Sequence, residues 1–303
     1  MPTSTRTRAR SLTGLLAVAL LALTASPVAA MVATEPSCVA ATADASALRD
    51  VSGRLREPSA AARGGAEVPA TEARHGGPDF KATVPVYFHV ISNGTDGAVS
   101  ATTISQQMNV LGKGYAGKYG GANSGFKFTL AGVDHTTNAA WFDAGPETPE
   151  EAAMKQALKR GGPGDLNVYT TSGNLYLGWA YFPSIVDSPQ AYLDGVVIDF
   201  RSMPGGPYGS DYSLGGTLTH EAGHWLGLYH TFEGGCGGKG DRVADTPPER
   251  DPTAGCPEGK DTCKKGGLDP IHNYMDYSWD SCYTQFTPGQ SSRMQDQYLH
   301  FRS

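Results

Sequence analysis

The sequence predicts an α+β protein: a twisted, mixed five-stranded sheet with helices packed on it, set above one motif-bearing helix, and a small irregular C-terminal subdomain stapled by disulfides. Three observations predict it. Segments of apolar alternation are interleaved with segments of helical spacing from Phe80 to about His230. After His230 the chain turns rich in Gly, Pro, Asp and Cys, with a single helical stretch near its end. Cys236, Cys256, Cys263 and Cys282 all fall in that tail, leaving Cys38 apart from them.

Each element has its own reason. Residues 83–92 (TVPVYFHVIS) alternate Val, Val, Phe and Val with other residues and read as a strand. Residues 103–118 carry Ile104, Met108, Leu111 and Tyr115 at helical spacing. Residues 126–133 and 166–170 read as strands. Between them a helix over 149–159 opens among Glu147, Glu150 and Glu151, the charges that a helix N-terminus favours. Residues 177–182 and 195–200 are the next strands, and a helix over 215–228 follows at once. The last helix starts after Thr287, at Pro288, and runs through Met294 and Tyr298.

The helix over 215–228 carries the chemistry. His220, Glu221, His224, Gly227 and His230 complete H-E-x-x-H-x-x-G-x-x-H, a pattern that this composition produces by chance with a probability of roughly 10⁻⁵. Residues i and i+4 stand one above the other on a helix, so His220 and His224 can share one metal ion, while Glu221, turned by about 100°, lies beside it. A continuing helix would carry His230 about 9 Å further along the axis, so the chain must turn back, and Gly227 permits the left-handed residue that ends helices in this way. Three imidazoles with an open fourth position describe a catalytic rather than a structural Zn²⁺ site. An apolar core helix would account for Leu218, Ala222, Trp225 and Leu226 but not for the spaced histidines.

The ends and the charge set bounds. Arg6, Arg8 and Arg10, apolar residues 12–23 and then Val28-Ala29-Ala30 make residues 1–30 read as a secretory signal peptide. No later run reaches the length of a membrane span, so an exported, secreted protein without a stable membrane anchor is expected. Residues 31–79 contain no Phe, Trp or Tyr and cannot build a core; they read as a propeptide with one short helix over 43–57. Residues 80–303 then form one domain, with an upper part over 80–230 and a lower part over 231–303. A net charge of −6 with no basic patch argues against nucleic acid as a partner, and a monomer is expected. The four tail cysteines allow three pairings. Cys38 has no evident partner, and a thiolate on a flexible segment could occupy the open zinc position as a latency switch, released by cutting near Arg63 or Arg74.

The zinc motif followed by Asn273-Tyr274-Met275-Asp276-Tyr277 resembles the metzincins. The runs His230-Thr-Phe-Glu-Gly-Gly-Cys236, Gly240-Asp-Arg-Val-Ala-Asp-Thr-Pro247, Gly255-Cys256-Pro257, Asp261-Thr-Cys263, Asp280-Ser-Cys282 and Phe286-Thr-Pro-Gly-Gln290 narrow this to a resemblance to the pappalysin (cytophagalysin) family of secreted metallopeptidases. That resemblance implies zinc on His220, His224 and His230, Glu221 as general base, Met275 as the floor of the site, and Tyr277 as a transition-state donor. It implies the pairs Cys236 with Cys263 and Cys256 with Cys282. It also implies Ca²⁺ in the loop 240–247, with Asp241, Asp245 and Thr246 as candidate ligands, oxygen donors that suit a hard cation. His272, Asp276 and Asp280 are candidates for shaping a specificity pocket, and residues 177–182 fit the edge strand that pairs with an extended substrate.

The implied activity is hydrolysis of peptide bonds in extracellular proteins by a zinc-bound water, with protein or peptide substrates as the partners. Two alternatives compete: a zinc amidase acting on a non-protein substrate, and a non-catalytic secreted binding module that kept a metal for stability. Glu221 speaks against the second, because a structural site has no use for a base beside its first ligand.

Overall fold

The computed structural model describes Met1, Gly76, Gly77 and residues 79–303. The signal peptide apart from Met1, nearly all of the propeptide segment, Cys38, Arg63 and Arg74 lie outside the described residues. Apart from Met1, the described residues belong to one compact unit, Thr42–Ser303.

The elements follow in the order β1 (Ala82–Ser92), α1 (Ala101–Tyr115), β2 (Phe126–Thr137), α2 (Ala139–Phe142), α3 (Pro149–Leu158), β3 (Leu166–Thr171), β4 (Gly178–Ala180), β5 (Val196–Asp199), α4 (Gly209–Tyr212), α5 (Gly216–Trp225) and α6 (Pro288–Phe301). The sheet runs β2-β1-β3-β5-β4. Its first four strands are parallel, and β4 alone is antiparallel, pairing Trp179 with Val197 of β5. The mixed five-stranded sheet is as the sequence predicts.

Both faces of this sheet are covered. Val86, Phe88, Val168, Ile198 and Ala180 point to one side, where they meet Leu111 of α1 and Leu218, Ala222 and Trp225 of α5. The residues between them in sequence, among them Tyr169, Val197 and Trp179, point to the other side and pack with Met154 of α3 and Phe142 of α2. This period of two is the pleat itself: successive side chains leave a strand on opposite faces. Five side chains pointing one way and three the other place two separate apolar cores above and below β4 and β5.

Helix boundaries are set by their caps. The Ser100 side chain accepts from Thr103 N at 3.0 Å, starting α1 two residues before the predicted position. Thr148 caps α3 with Pro149 at its first position, and Thr287 with Gln290 forms a capping box on α6. The motif helix is shorter than its apolar pattern predicts, ending at Trp225 rather than residue 228. Gly227 is the reason. At φ 93° it takes the left-handed turn, and Leu228 N then donates to Gly223 O at 2.9 Å.

Past His230 the chain is largely turns and loops, tied by two disulfides, Cys236 to Cys263 and Cys256 to Cys282. These are the pairs that the family resemblance implies. A buried carboxylate, Glu249, supports the same region by accepting from Lys260 Nζ, Thr253 Oγ1 and Thr231 Oγ1.

Candidate active site

The turn at Gly227 brings the third histidine back onto the first two. His224 Nε2 lies 3.1 Å from His220 Nε2 and 3.0 Å from His230 Nε2, and all three residues are buried. Nitrogens bound tetrahedrally to zinc at about 2.0–2.1 Å stand roughly 3.3 Å apart, so the spacing fits that ion. The opposite ring nitrogens of His220 and His224 are engaged by carbonyls. His220 Nδ1 donates to Tyr274 O at 2.5 Å and His224 Nδ1 to Leu228 O at 2.7 Å, which leaves each Nε2 lone pair directed to the shared point. Tyr274 O belongs to the turn below the helix and Leu228 O to the turn after it. Both second partners are therefore backbone atoms whose position depends on the local fold, not on a side chain that the sequence would reveal.

The floor is Met275, fully buried under α5, where a side chain on Gly223 would collide with its sulfur. Thr231 N donates to Met275 O at 3.1 Å, so the strand of chain leaving His230 is clipped to this turn. Tyr277 follows two residues on. Its ring centroid lies 4.9 Å from that of His230 and 5.8 Å from that of His220, which puts the side chain beside the ligand set. Phe232 stacks on His230 at 4.7 Å and meets the Tyr277 ring edge-on at 4.9 Å.

Glu221 sits on the sheet side of α5, 1% exposed. Strand β4 passes so closely over it that a Cβ on Gly178 would lie 2.9 Å from Glu221 Cγ, which explains the glycine there. The strand spans only Gly178–Ala180 instead of the predicted 177–182, and it forms the outer edge of the sheet. A small cavity next to Glu221 and His220 is lined by Leu177, Tyr212, Thr217, Tyr277, Asp280 and Tyr283, among others. Asp280 is thus part of the cleft. Its Oδ2 accepts from Leu214 N at 2.8 Å and Gly216 N at 3.1 Å, and burial pushes its carboxyl up to about 7 against the pull of those amides. Asp276 instead turns inward, accepting from Thr253 N and Tyr277 N, and His272 Nδ1 donates to Cys282 O.

The three candidate calcium ligands divide. Asp245 caps α6, accepting from Thr287 Oγ1 at 2.7 Å and Gly289 N at 2.8 Å. Asp241 and Thr246 are buried, and the Thr246 hydroxyl faces the Asp241 carboxyl. Burial raises the Asp241 carboxyl to about 6.

Sequence reading missed the residues that hold the site from behind. Arg302, one residue from the end of the sequence, is buried; its Nε donates to Trp225 O, the last residue of α5, and its guanidinium lies 3.7 Å above the Trp225 ring and pairs with Asp194. Arg293 Nε donates to Gly227 O at 2.8 Å. Two cations on the carbonyls of a helix C-terminus are favoured there, and no spacing in the sequence links them to α5.

Among the described residues no helix is long and apolar enough to cross a membrane. A sequence profile of the pregnancy-associated plasma protein-A family of peptidases matches residues 172–298, reaching upstream of β4. The extracellular metalloprotease of Sordaria macrospora is 47% identical over 228 residues, covering 73% of this chain and 76% of that protein. Among solved structures, mature mirolysin of Tannerella forsythia in complex with a cleaved peptide is 28% identical over 73% of this chain and 93% of that one, with a TM-score of 0.62. A promirolysin mutant of the same organism is 27% identical, covers 75% of this chain and 83% of that one, and gives a TM-score of 0.64. With its three converging imidazoles, its methionine floor and these relatives, the chain belongs to the pappalysin family of metzincin-like zinc metallopeptidases.

Proposed function

We propose that this zinc metalloendopeptidase is secreted and cleaves extracellular proteins, with Glu221 as general base and acid and Tyr277 as a donor to the developing oxyanion. The observation that carries the reading is that Glu221 lies under Gly178 of the edge strand β4 and lines one cavity together with His220. Zinc, when bound, supplies Lewis acidity, acidifying a water and polarising a peptide carbonyl. Glu221 takes the proton of the attacking water and hands it to the leaving amine. The Tyr277 phenol, beside His230 and His220, donates to the carbonyl oxygen as charge builds on it. An extended peptide pairs with the free edge of β4, a main-chain interaction that accepts many sequences, and mirolysin, a relative solved in complex with a cleaved peptide, supports a peptide as the substrate. Relatives named extracellular metalloproteases support export. Incubating the purified protein with casein and a peptide library, with and without a chelator, and reading the cleavage sites by mass spectrometry tests the reading; absence of chelator-sensitive cleavage would overturn it.

Two further assignments belong to this proposal. The buried, neighbouring side-chain oxygens of Asp241 and Thr246 support a calcium ion in the loop 240–247, which calcium-dependent thermal stabilisation lost in Asp241→Asn would test. Residues 31–79 would act as a propeptide with Cys38 as its zinc-directed thiolate; promirolysin, a relative with a pro form, supports a latent precursor. An intact Cys38→Ala precursor should then cleave substrate while the intact wild-type precursor does not.

A further inference from the structure

Strand β4 has an unusual burden. It is three residues long, it is the outer edge of the sheet, and its inner face lies directly over Glu221. One ladder with β5 is all the backbone support that it has, and a short edge strand held on one side only frays easily. Its other face supplies what is missing. Trp179 and Tyr181 point away from α5 into the second core, and both donate to one carboxylate: Trp179 Nε1 to Glu151 Oε1 at 2.7 Å and Tyr181 OH to Glu151 Oε2 at 2.8 Å.

Glu151 stands on α3 and is fully buried. Each of its oxygens accepts twice. Oε1 also takes Lys155 Nζ at 2.8 Å, and Oε2 also takes Glu147 N at 2.8 Å. Lys155 is equally buried, donates to Leu193 O at 2.8 Å and lies 4.6 Å from the centre of the Tyr181 ring, so the same pair grips that tyrosine from two sides. Helix capping explains only the bond to Glu147 N. A buried ion pair is a poor source of stability compared with an apolar replacement of the same shape, because desolvation offsets most of its attraction. What such a hub does supply is fixed geometry, since all four lone-pair positions of the carboxylate are taken.

We propose that Glu151 is a positioning residue for substrate: through Trp179 and Tyr181 it holds β4 at the height over Glu221 at which an extended peptide pairs with Gly178–Ala180. The inference rests on the peptidase reading above. Glu151 never touches substrate; it sets the strand that does.

The test uses the full chain carrying Glu151→Gln, Tyr181→Phe or Trp179→Phe, with zinc content, thermal stability, kcat and KM measured on peptides of increasing length. Positioning predicts that Glu151→Gln raises KM for long peptides about tenfold while kcat stays within about threefold and zinc content is unchanged. The two Phe variants, each losing one bond, should raise KM by smaller factors, and all three effects should shrink for peptides too short to reach along the strand. A role in stability alone would lower the melting temperature and leave the KM of the folded enzyme where it was. Unchanged KM in Tyr181→Phe and Trp179→Phe overturns the inference, even where Glu151→Gln does not fold. Wild-type protein without chelator-sensitive cleavage would instead overturn the peptidase reading on which the inference stands.

Discussion

Asn273 and Gln290 clasp each other across the turn beneath the histidines: Asn273 Nδ2 donates to Gln290 Oε1 at 2.8 Å, and Gln290 Nε2 donates to Asn273 Oδ1 at 2.9 Å. Both side chains are fully buried. Asn273 Oδ1 also accepts from Met275 N, and Gln290 Oε1 from Thr287 N, so one pair of amides ties the methionine floor to the first turn of α6.

Truncating either partner leaves the other amide buried and unsatisfied. Asn273→Ala or Gln290→Ala should therefore each cost about 1–3 kcal/mol, and the double variant should cost clearly less than the sum. Denaturant unfolding of the four zinc-loaded proteins measures this cycle, and strict additivity would show that the two amides act independently.

The metal site was largely legible in the sequence, because its ligands lie on one helix and one turn whose geometry follows from residue spacing. His220, His224 and His230 converge as the pattern requires, with Gly227 at the turn. Strand β4 was legible as a strand but not in its length. Leu177 and Tyr181 continue its apolar pattern, yet β5 begins at Val196, opposite Ala180, so Tyr181 has no partner strand, and past Gly178 the pairing comes down to the one bond from Asp199 N to Leu177 O. The polar supports were not legible as supports. Glu151 reads as an ordinary charge at a helix start and Arg302 as a terminal cation, while Asn273 and Gln290 stand in runs that carry the family resemblance without any sign that they bond each other; each acquires its partner only through the tertiary fold. Disulfide pairing came from the family likeness and not from spacing, which left three pairings open.

The division of labour between ligands and base gives a second prediction. Glu221→Gln keeps all three imidazoles, so the protein should retain its zinc and its melting temperature while kcat falls by roughly three orders of magnitude or more. His224→Ala removes the ligand whose Nε2 lies between the other two, and elemental analysis should find the metal lost. A zinc-loaded Glu221→Gln enzyme turning over like the wild type would end the general-base assignment.

The two disulfides close loops with sequence separations of 27 and 26 residues between α5 and α6, where the described chain is turns and loops. Removing each by paired Cys→Ala substitution should destabilise the lower region by about 2–5 kcal/mol, since the open loops regain entropy in the unfolded chain. Differential scanning calorimetry of the two paired variants tests this. Mass spectrometry of an unreduced digest should recover Cys236 linked to Cys263 and Cys256 linked to Cys282, and free thiols at these four positions would contradict the assignment.

Asp280 should impose a pH dependence on stability. It lies against the first residue of α5 and lines the cleft, and burial raises its carboxyl from about 3.9 in an unfolded chain to about 7. A folded value above the unfolded one means that the native protein holds this proton more tightly. The resulting stability is fully present below the unfolded value and is lost as pH rises through about 7, at a rate of no more than about 1.4 kcal/mol per pH unit. Asp280→Asn keeps an oxygen acceptor for Leu214 N and Gly216 N but cannot ionise. Between pH 5 and 8, in steps of about one unit, the wild type should therefore lose stability relative to the Asn variant. Zinc affinity also changes with pH, but equally in both proteins, so the difference between their zinc-saturated unfolding curves isolates the one carboxyl. Parallel curves over that window would show that Asp280 is ionised throughout and that the amides at the start of α5 outweigh its burial.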